Sequence, residues 1–189
     1  MRIISGTAKG TKLYTLEGLE TRPTLDRVKE SLFNIIQNEI ADSTVLDLFS
    51  GSGAVGLEFA SRGAKTVYLC DKSKEACEII DKNIEKTHLG NKVKLMNKDF
   101  IRAIKEVQNI KFDIIYLDPP YKTDFIKTAI EELIKNNNLT QETIIIAETD
   151  EKLRVLKQIE EIDRIEVEDE RKYGRAYILF LKKMNGKEE

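Results

Sequence analysis

From residue 45 onward the chain repeats one pattern: a short continuous apolar run, a polar or glycine end, then an amphipathic stretch. Val45–Phe49 leads into SGSG and the helix-like AVGLEFASRG, and Thr66–Cys70 leads through Asp71 into KSKEACEIIDKNIEKTHLG, which Gly90 is expected to stop. Val93–Met96 ends near Asp99 with a short helix behind it, and Phe112–Leu117 breaks sharply at DPPY before FIKTAIEELIKNN. TIIIAE at 143–148 precedes a short helix near 151–159. Runs that are apolar throughout, alternating with helices, require a mostly parallel sheet covered on both faces. The last two strands, near 164–170 and over AYILFLKK, have no helix between them, so they predict a hairpin with one antiparallel strand. The expected fold is a doubly wound α/β sheet of seven strands.

Residues 1–44 lie outside that repeat. RIISGTAKGTKL reads as two short strands around a turn at Gly6–Gly10. TRPTLDRVKESLFNII reads as a helix capped at Thr24, with Val28, Leu32, Ile35 and Ile36 on one apolar face. The spacing therefore divides the chain into an extension, 1–44, and a sheet domain, 45–189. At 189 residues there is one core of ordinary size, with only 3 prolines and no linker-like tract. No apolar run approaches the roughly 18 residues of a membrane span, and MRIISGTAKG has no secretory apolar region. Cys70 and Cys77 form neither a metal pair nor a disulfide framework, which suits a reducing cytoplasm. The lone histidine, His88, cannot build a histidine metal cage, and no metal is expected.

Ligands of such sheets bind beyond the carboxyl ends of the strands. Asp47, Gly51–Gly56, Asp71, Asp99 and Asp118–Tyr121 all fall there. One acid at a strand end is ordinarily a cap; four strand ends in succession carrying acids point to a site. GSGAVG at 51–56 fits the dinucleotide pattern GxGxxG, with Asp71 at the spacing of a ribose-binding acid. Taken alone it suggests NAD. Asp47 argues the other way, because a carboxylate just before this turn repels a pyrophosphate. It suits the ammonium of S-adenosylmethionine, with Gly51 and Gly53 letting the backbone approach and Asp71 holding the ribose. Asp99 and Phe100 then meet the adenine.

DPPY, Asp118, Pro119, Pro120 and Tyr121, is the most specific motif in the chain. Two prolines hold the backbone extended and remove two N–H donors, leaving a rim of acceptors. Such a rim suits the exocyclic amino group of a base, whose lone pair is delocalised into the ring. Acceptors on its hydrogens favour a pyramidal nitrogen able to attack a methyl group, and Tyr121 offers a stacking surface.

With RIISGTAKGTKL, RPTLDRVKESLFNII, VLDLFSGSGAVGLEFASRGA, FDIIYLDPPY and the KYG at 172–174, the chain resembles the RsmD family over nearly its whole length. That resemblance implies a Rossmann-like class I S-adenosylmethionine-dependent methyltransferase acting on the N2 amino group of one guanine in 16S ribosomal RNA. The substrate would be the small subunit or its assembly intermediate, and the protein a monomer in the cytoplasm. It places Asp47, Phe49, Gly51, Gly53, Asp71, Lys72, Asp99 and Phe100 around the cofactor and Asp118, Pro119, Pro120 and Tyr121 around the base. The extension would engage RNA, with Arg22, Pro23, Thr24 and Arg27 at the mouth of the site. After YG the family pattern continues with an acid and Thr, whereas this chain has Arg175 and Ala176.

Two other activities share parts of these motifs: an NAD-dependent oxidoreductase shares the glycine turn, and a DNA adenine methyltransferase shares DPPY as well. The latter needs a target-recognition region, for which only residues 1–44 are spare. The net charge of −2 speaks at first against a nucleic-acid partner. It is an average, however. Residues 140–170 hold 11 acids and 4 bases, while Arg2, Lys9 and Lys12 stand in the first 16 residues without an acid. Phosphate contacts depend on local charge, so this basic arm is a candidate RNA contact.

Overall fold

The computed structural model describes residues 1–16, 23–120 and 123–184, with the side chains of 23–27 outside that description. Seven strands follow the apolar runs: β1 Thr44–Asp47, β2 Thr66–Asp71, β3 Val93–Asn97, β4 Ile114–Leu117, β5 Ile144–Thr149, β6 Ile165–Tyr173 and β7 Ala176–Lys183. They form one sheet in the order β3-β2-β1-β4-β5-β7-β6. Every pairing from β3 to β5 is parallel, and β7 runs antiparallel to both β5 and β6, as the missing helix between the last strands predicts. The order reverses beside β1, which puts the switch point between β1 and β4.

Among the described residues six α-helices cover the sheet: α1 Pro23–Ile35, α2 Ala54–Ser61, α3 Lys74–Thr87, α4 Phe100–Glu106, α5 Phe125–Lys135 and α6 Lys152–Glu160. Alternate strand residues feed two separate cores. Leu46, Tyr68, Ile115, Leu117 and Ile145 pack with residues of α4, α5 and α6. Val45, Val67, Ile114, Tyr116 and Ile146 pack with α1, α2 and α3 and with Ile3, Ala8 and Leu13 of the N-terminal arm. No helix among the described residues is long and apolar enough to cross a membrane.

Several boundaries differ from the sequence reading. The arm holds a single antiparallel bridge, Arg2 with Lys12, rather than two strands, because the turn closes after few residues. Helix α1 begins at Pro23, so Thr24 lies inside it and is not its cap; proline is well suited to a first helical position. Ile35 is 43% exposed, while Val28, Leu32 and Ile36 are buried with Phe33. Helix α3 stops at His88, which takes the left-handed conformation (φ 57°) and donates its N–H to the Glu85 and Ile84 carbonyls, so Gly90 is not the terminator.

The arm is fastened by groups from α2 and α3. The fully buried Glu58 carboxylate accepts from the Ile4 and Ser5 amides at 2.8 and 2.9 Å and pairs with Lys29 and Arg62 at 3.2 and 2.7 Å. Ser61 accepts from the Thr7 and Ala8 amides, and a Cβ on Gly6 would lie 1.9 Å from the Ser61 carbonyl oxygen. Asn83 accepts from the Tyr14 N–H at 2.8 Å and donates to the Tyr14 carbonyl at 3.0 Å.

Candidate functional site

A cavity of about 1060 Å³ opens at the carboxyl ends of the parallel strands. That is large for one small ligand and fits two in contact. One half is built around the turn after β1. Ser50 Oγ donates to the Asp47 carbonyl at 2.9 Å and accepts from the Cys70 amide at 3.0 Å, tying the turn to β2. Gly51 and Gly53 take positive φ (54° and 77°), and a Cβ on Gly51 would meet nothing within 4 Å. These two glycines shape the loop, while Ser50, Ser52 and Ala54 supply its cavity wall. Gly56 serves packing: a Cβ there would lie 2.0 Å from Leu69 Cδ2.

Asp47 is buried beneath this loop. Its Oδ2 accepts from the Gly56 amide at 3.2 Å, and its Oδ1 has no partner among the described residues. Burial pushes this carboxyl from 3.8 up to about 7, against the lowering effect of the Gly56 amide and of nearby Ser50 and Phe49 donors. An unpartnered buried acceptor on a cavity wall suits a charged donor, and an ammonium group fits it best. Asp71 braces the same loop, accepting from the Gly51 amide at 2.9 Å and the Ser73 amide at 2.8 Å. Each carboxylate oxygen retains capacity for a hydroxyl. Asp99 caps α4 by accepting from the Arg102 amide at 3.1 Å and stands on the cavity wall beside Lys72, Lys98 and Phe100. The rings of Phe49, Phe100 and Phe125 form a cluster, with centroids 5.1 to 6.2 Å apart, that walls this half. Together these groups fit an adenosyl moiety joined to an amino acid: carboxylates for the ammonium and ribose, rings for a purine.

The other half lies between the ends of β4 and β5 and the covering helix α1. Asp118 is half-buried there, Pro119 is buried and Pro120 exposed, and Tyr121 lies outside the described residues. The Pro120 carbonyl accepts from Thr123 at 2.9 Å, whereas the Pro119 carbonyl has no partner among the described residues and remains an acceptor. Burial first, then the charges of Glu148 and Asp47, raise the Asp118 carboxyl well above its ordinary value. Met1 and Thr15 of the arm, with Val28, Lys29 and Leu32 of α1, close this side.

Of the basic candidates, Arg2, Lys9 and Lys12 are exposed on the arm. Arg22 lies outside the described residues, as do the side chains of Pro23, Thr24 and Arg27, whose backbone opens α1. The sequence reading passed over Tyr116, Phe125 and Glu148, all of which line the cavity. Glu148 stands next to last in β5, at the carboxyl end of a parallel strand, so the rule that singled out the other strand ends would have found it.

Known proteins share this architecture and these stretches. A family model described as conserved hypothetical protein 95 matches residues 1–182. Ribosomal RNA small subunit methyltransferase D of Haemophilus influenzae is 37% identical over 152 residues, covering 79% of each chain. The Bacillus subtilis protein YlbH is 32% identical over 185 residues, covering 97% of this chain and 99% of that one. Among solved structures, yhhF from Escherichia coli matches with a TM-score of 0.81 at 26% identity, covering 97% of this chain and 98% of that one. An O-methyltransferase from Bacillus cereus, solved in complex with SAH, shares the fold alone (TM-score 0.71, 16% identity, 89% and 84% covered). Matched across nearly its whole length, the chain belongs to the conserved hypothetical protein 95 family, the RsmD family, alongside the ribosomal RNA small subunit methyltransferase D proteins.

Proposed function

We propose that this protein transfers a methyl group from S-adenosylmethionine to the exocyclic N2 amino group of one guanine in 16S ribosomal RNA. The substrate is the small subunit or its assembly intermediate, and the enzyme works as a cytoplasmic monomer. The observation that carries this reading is the continuity of one cavity between two unlike halves. An orphaned carboxylate oxygen and a phenylalanine cluster sit at one end, and an acceptor rim at Asp118 and Pro119 sits at the other.

When bound, S-adenosylmethionine supplies a methyl group on a sulfonium, whose carbon–sulfur bond breaks with its electron pair going to sulfur. Asp47 holds the ammonium of the methionine end, and Gly51 and Gly53 shape the loop around it. Asp71 takes the ribose, with Lys72 beside it. Asp99, Phe49 and Phe100 hold the adenine. On the opposite side, the Asp118 carboxyl and the Pro119 carbonyl accept from the guanine N2 hydrogens. That localises the nitrogen lone pair toward the methyl group. The proton that leaves nitrogen goes to the ionised Asp118 carboxylate, which already accepts from the amino group. Pro120 fixes the rim, and Tyr121 stacks on the base. The amino group of a paired or stacked guanine is hard to reach, so the nucleotide is flipped into the site.

Residues 1–44 form the RNA-recognition extension to the methyltransferase domain 45–189. Arg2, Lys9 and Lys12 meet phosphates, and Arg22, Pro23, Thr24 and Arg27 border the mouth. A nucleoside mass profile of small-subunit RNA from cells lacking the protein tests the whole reading. N2-methylguanosine is expected to disappear and to return with the wild-type protein but not with Asp118→Ala. Unchanged N2-methylguanosine in the deletion, or binding of NAD but not S-adenosylmethionine in calorimetry, overturns it.

A further inference from the structure

Period-two alternation of the sheet brings one more carboxylate into the acceptor half. Strands β4 and β5 pair with Tyr116 opposite Ile146 and Leu117 opposite Ala147, so the next step along both sets Asp118 level with Glu148. Neighbouring strands lie about 4.8 Å apart, and residues two apart share a face. Tyr116 and Glu148 therefore look toward α1 from the same side of the sheet, both on the cavity wall.

Glu148 is 8% exposed. Its Oε2 accepts from the Tyr116 hydroxyl at 2.5 Å, and the carboxylate makes no other hydrogen bond among the described residues. Burial, first, raises the Tyr116 phenol well above its ordinary value, so that hydroxyl keeps its proton and serves Glu148 as a donor. One oxygen of Glu148 is thus held in place; burial raises its carboxyl, the Tyr116 hydrogen bond opposes that rise, and in the ionised form the other oxygen is an acceptor in the wall. A third acceptor beside Asp118 and Pro119 exceeds what an amino group needs, since that group has two hydrogens.

Guanine is the base that uses a third. Its pairing edge presents N1–H directly beside the N2 amino group, whereas adenine presents a bare N1 acceptor beside its amino group. A wall of acceptors matches the first edge and repels the second. Resting on the reading of this cavity as a guanine amino-methyltransferase site, we propose that Glu148, held by the Tyr116 hydroxyl, determines base specificity by accepting from guanine N1–H.

The test uses small-subunit particles reconstituted with ligated 16S RNA in which the target guanine is kept or replaced by 2-aminopurine. That analogue retains the 2-amino group and lacks N1–H. The wild type is expected to favour guanine by about 100-fold or more in kcat/KM, because the analogue leaves Glu148 facing another acceptor. Glu148→Gln, whose amide can turn its N–H to a bare N1, should reduce that preference about tenfold or more. Glu148→Asp keeps the charge but withdraws it by one methylene, and should give an intermediate preference. Thermal melts and S-adenosylmethionine calorimetry establish that each variant is folded, and the Asp variant carries the test alone if the Gln variant is not. A folded variant that loses activity equally on both bases, or keeps the wild-type preference, overturns the proposal. A wild type that binds S-adenosylmethionine but does not methylate the guanine particle overturns the underlying assignment instead.

Discussion

The two halves of the cavity are built in different ways. The half around Asp47 is assembled from short stretches that each follow one strand: a turn with two positive-φ glycines, Asp71, and Asp99 with Phe100. The half around Asp118 is assembled across the fold. It takes neighbouring residues from two strands, a helix from the extension and two residues of the arm. The first half is a set of local conformational requirements, and the second a set of tertiary ones. Substitutions in the first should alter binding in proportion to the group removed. Those in the second should separate turnover, folding and specificity from cofactor binding.

The largest expected effect is at Asp118. Asp118→Ala should lower kcat by about 10³-fold, the scale of losing a preorganised electrostatic partner, while cofactor affinity measured by calorimetry stays within about twofold. An equal loss of both would erase the distinction between the halves. Next is Glu58, which serves the arm side only. Glu58→Ala leaves Lys29 without this partner in the interior and frees two arm amides, and should cost about 3–5 kcal/mol in chemical denaturation. A smaller value would mean that the arm is held mainly by its apolar residues.

Asp47 should make the cofactor half pH-dependent. Its carboxyl, at about 7 against 3.8, stays protonated in the free folded protein through mildly acidic pH. Pairing with an ammonium needs the ionised form, so cofactor binding below that value releases a proton. Affinity should rise with pH by at most about tenfold per unit up to about 7 and level off above. Asp47→Asn should bind more weakly and without that slope. The same shift makes the free protein lose stability as pH climbs from 3.8 to about 7, because the folded state binds the proton more tightly than the unfolded chain. The smallest effect is at Phe125. Phe125→Ala removes one ring of the aromatic wall and should weaken cofactor binding about fivefold to tenfold, with kcat on the RNA particle little changed.

What the sequence disclosed follows the same division. The parallel direction of the first five strands follows from continuous apolar runs broken by helices, and Asp47, Asp71, Asp99 and Asp118 are visible because each is an acid within or just after such a run. Glu148 stands at such an end too, yet TIIIAE carries no glycine or proline to draw attention to it. Tyr116 reads as one more apolar residue of its strand, and only the register with β5 turns it into the donor for Glu148. Glu58 reads as a surface acid on a helix, and nothing local announces the two amides and two cations that surround it. Thr24 misled for the opposite reason: a good capping residue directly follows a proline that itself begins the helix.

The Glu58 knot bears on how this protein can be dissected. Helix α2 begins at the glycine loop and ends at Ser61, which holds the arm, so one short rod of eight residues is anchored in both halves. Truncating the chain ahead of β1 would therefore strip a buried anion of its amides and of Lys29, and expose Leu57 and Phe59 to water. A shortened protein that failed to bind RNA would report a collapsed scaffold, not a missing contact. Charge reversal at exposed Arg2, Lys9 or Lys12, which leaves that knot tied, is the cut that separates recognition from integrity.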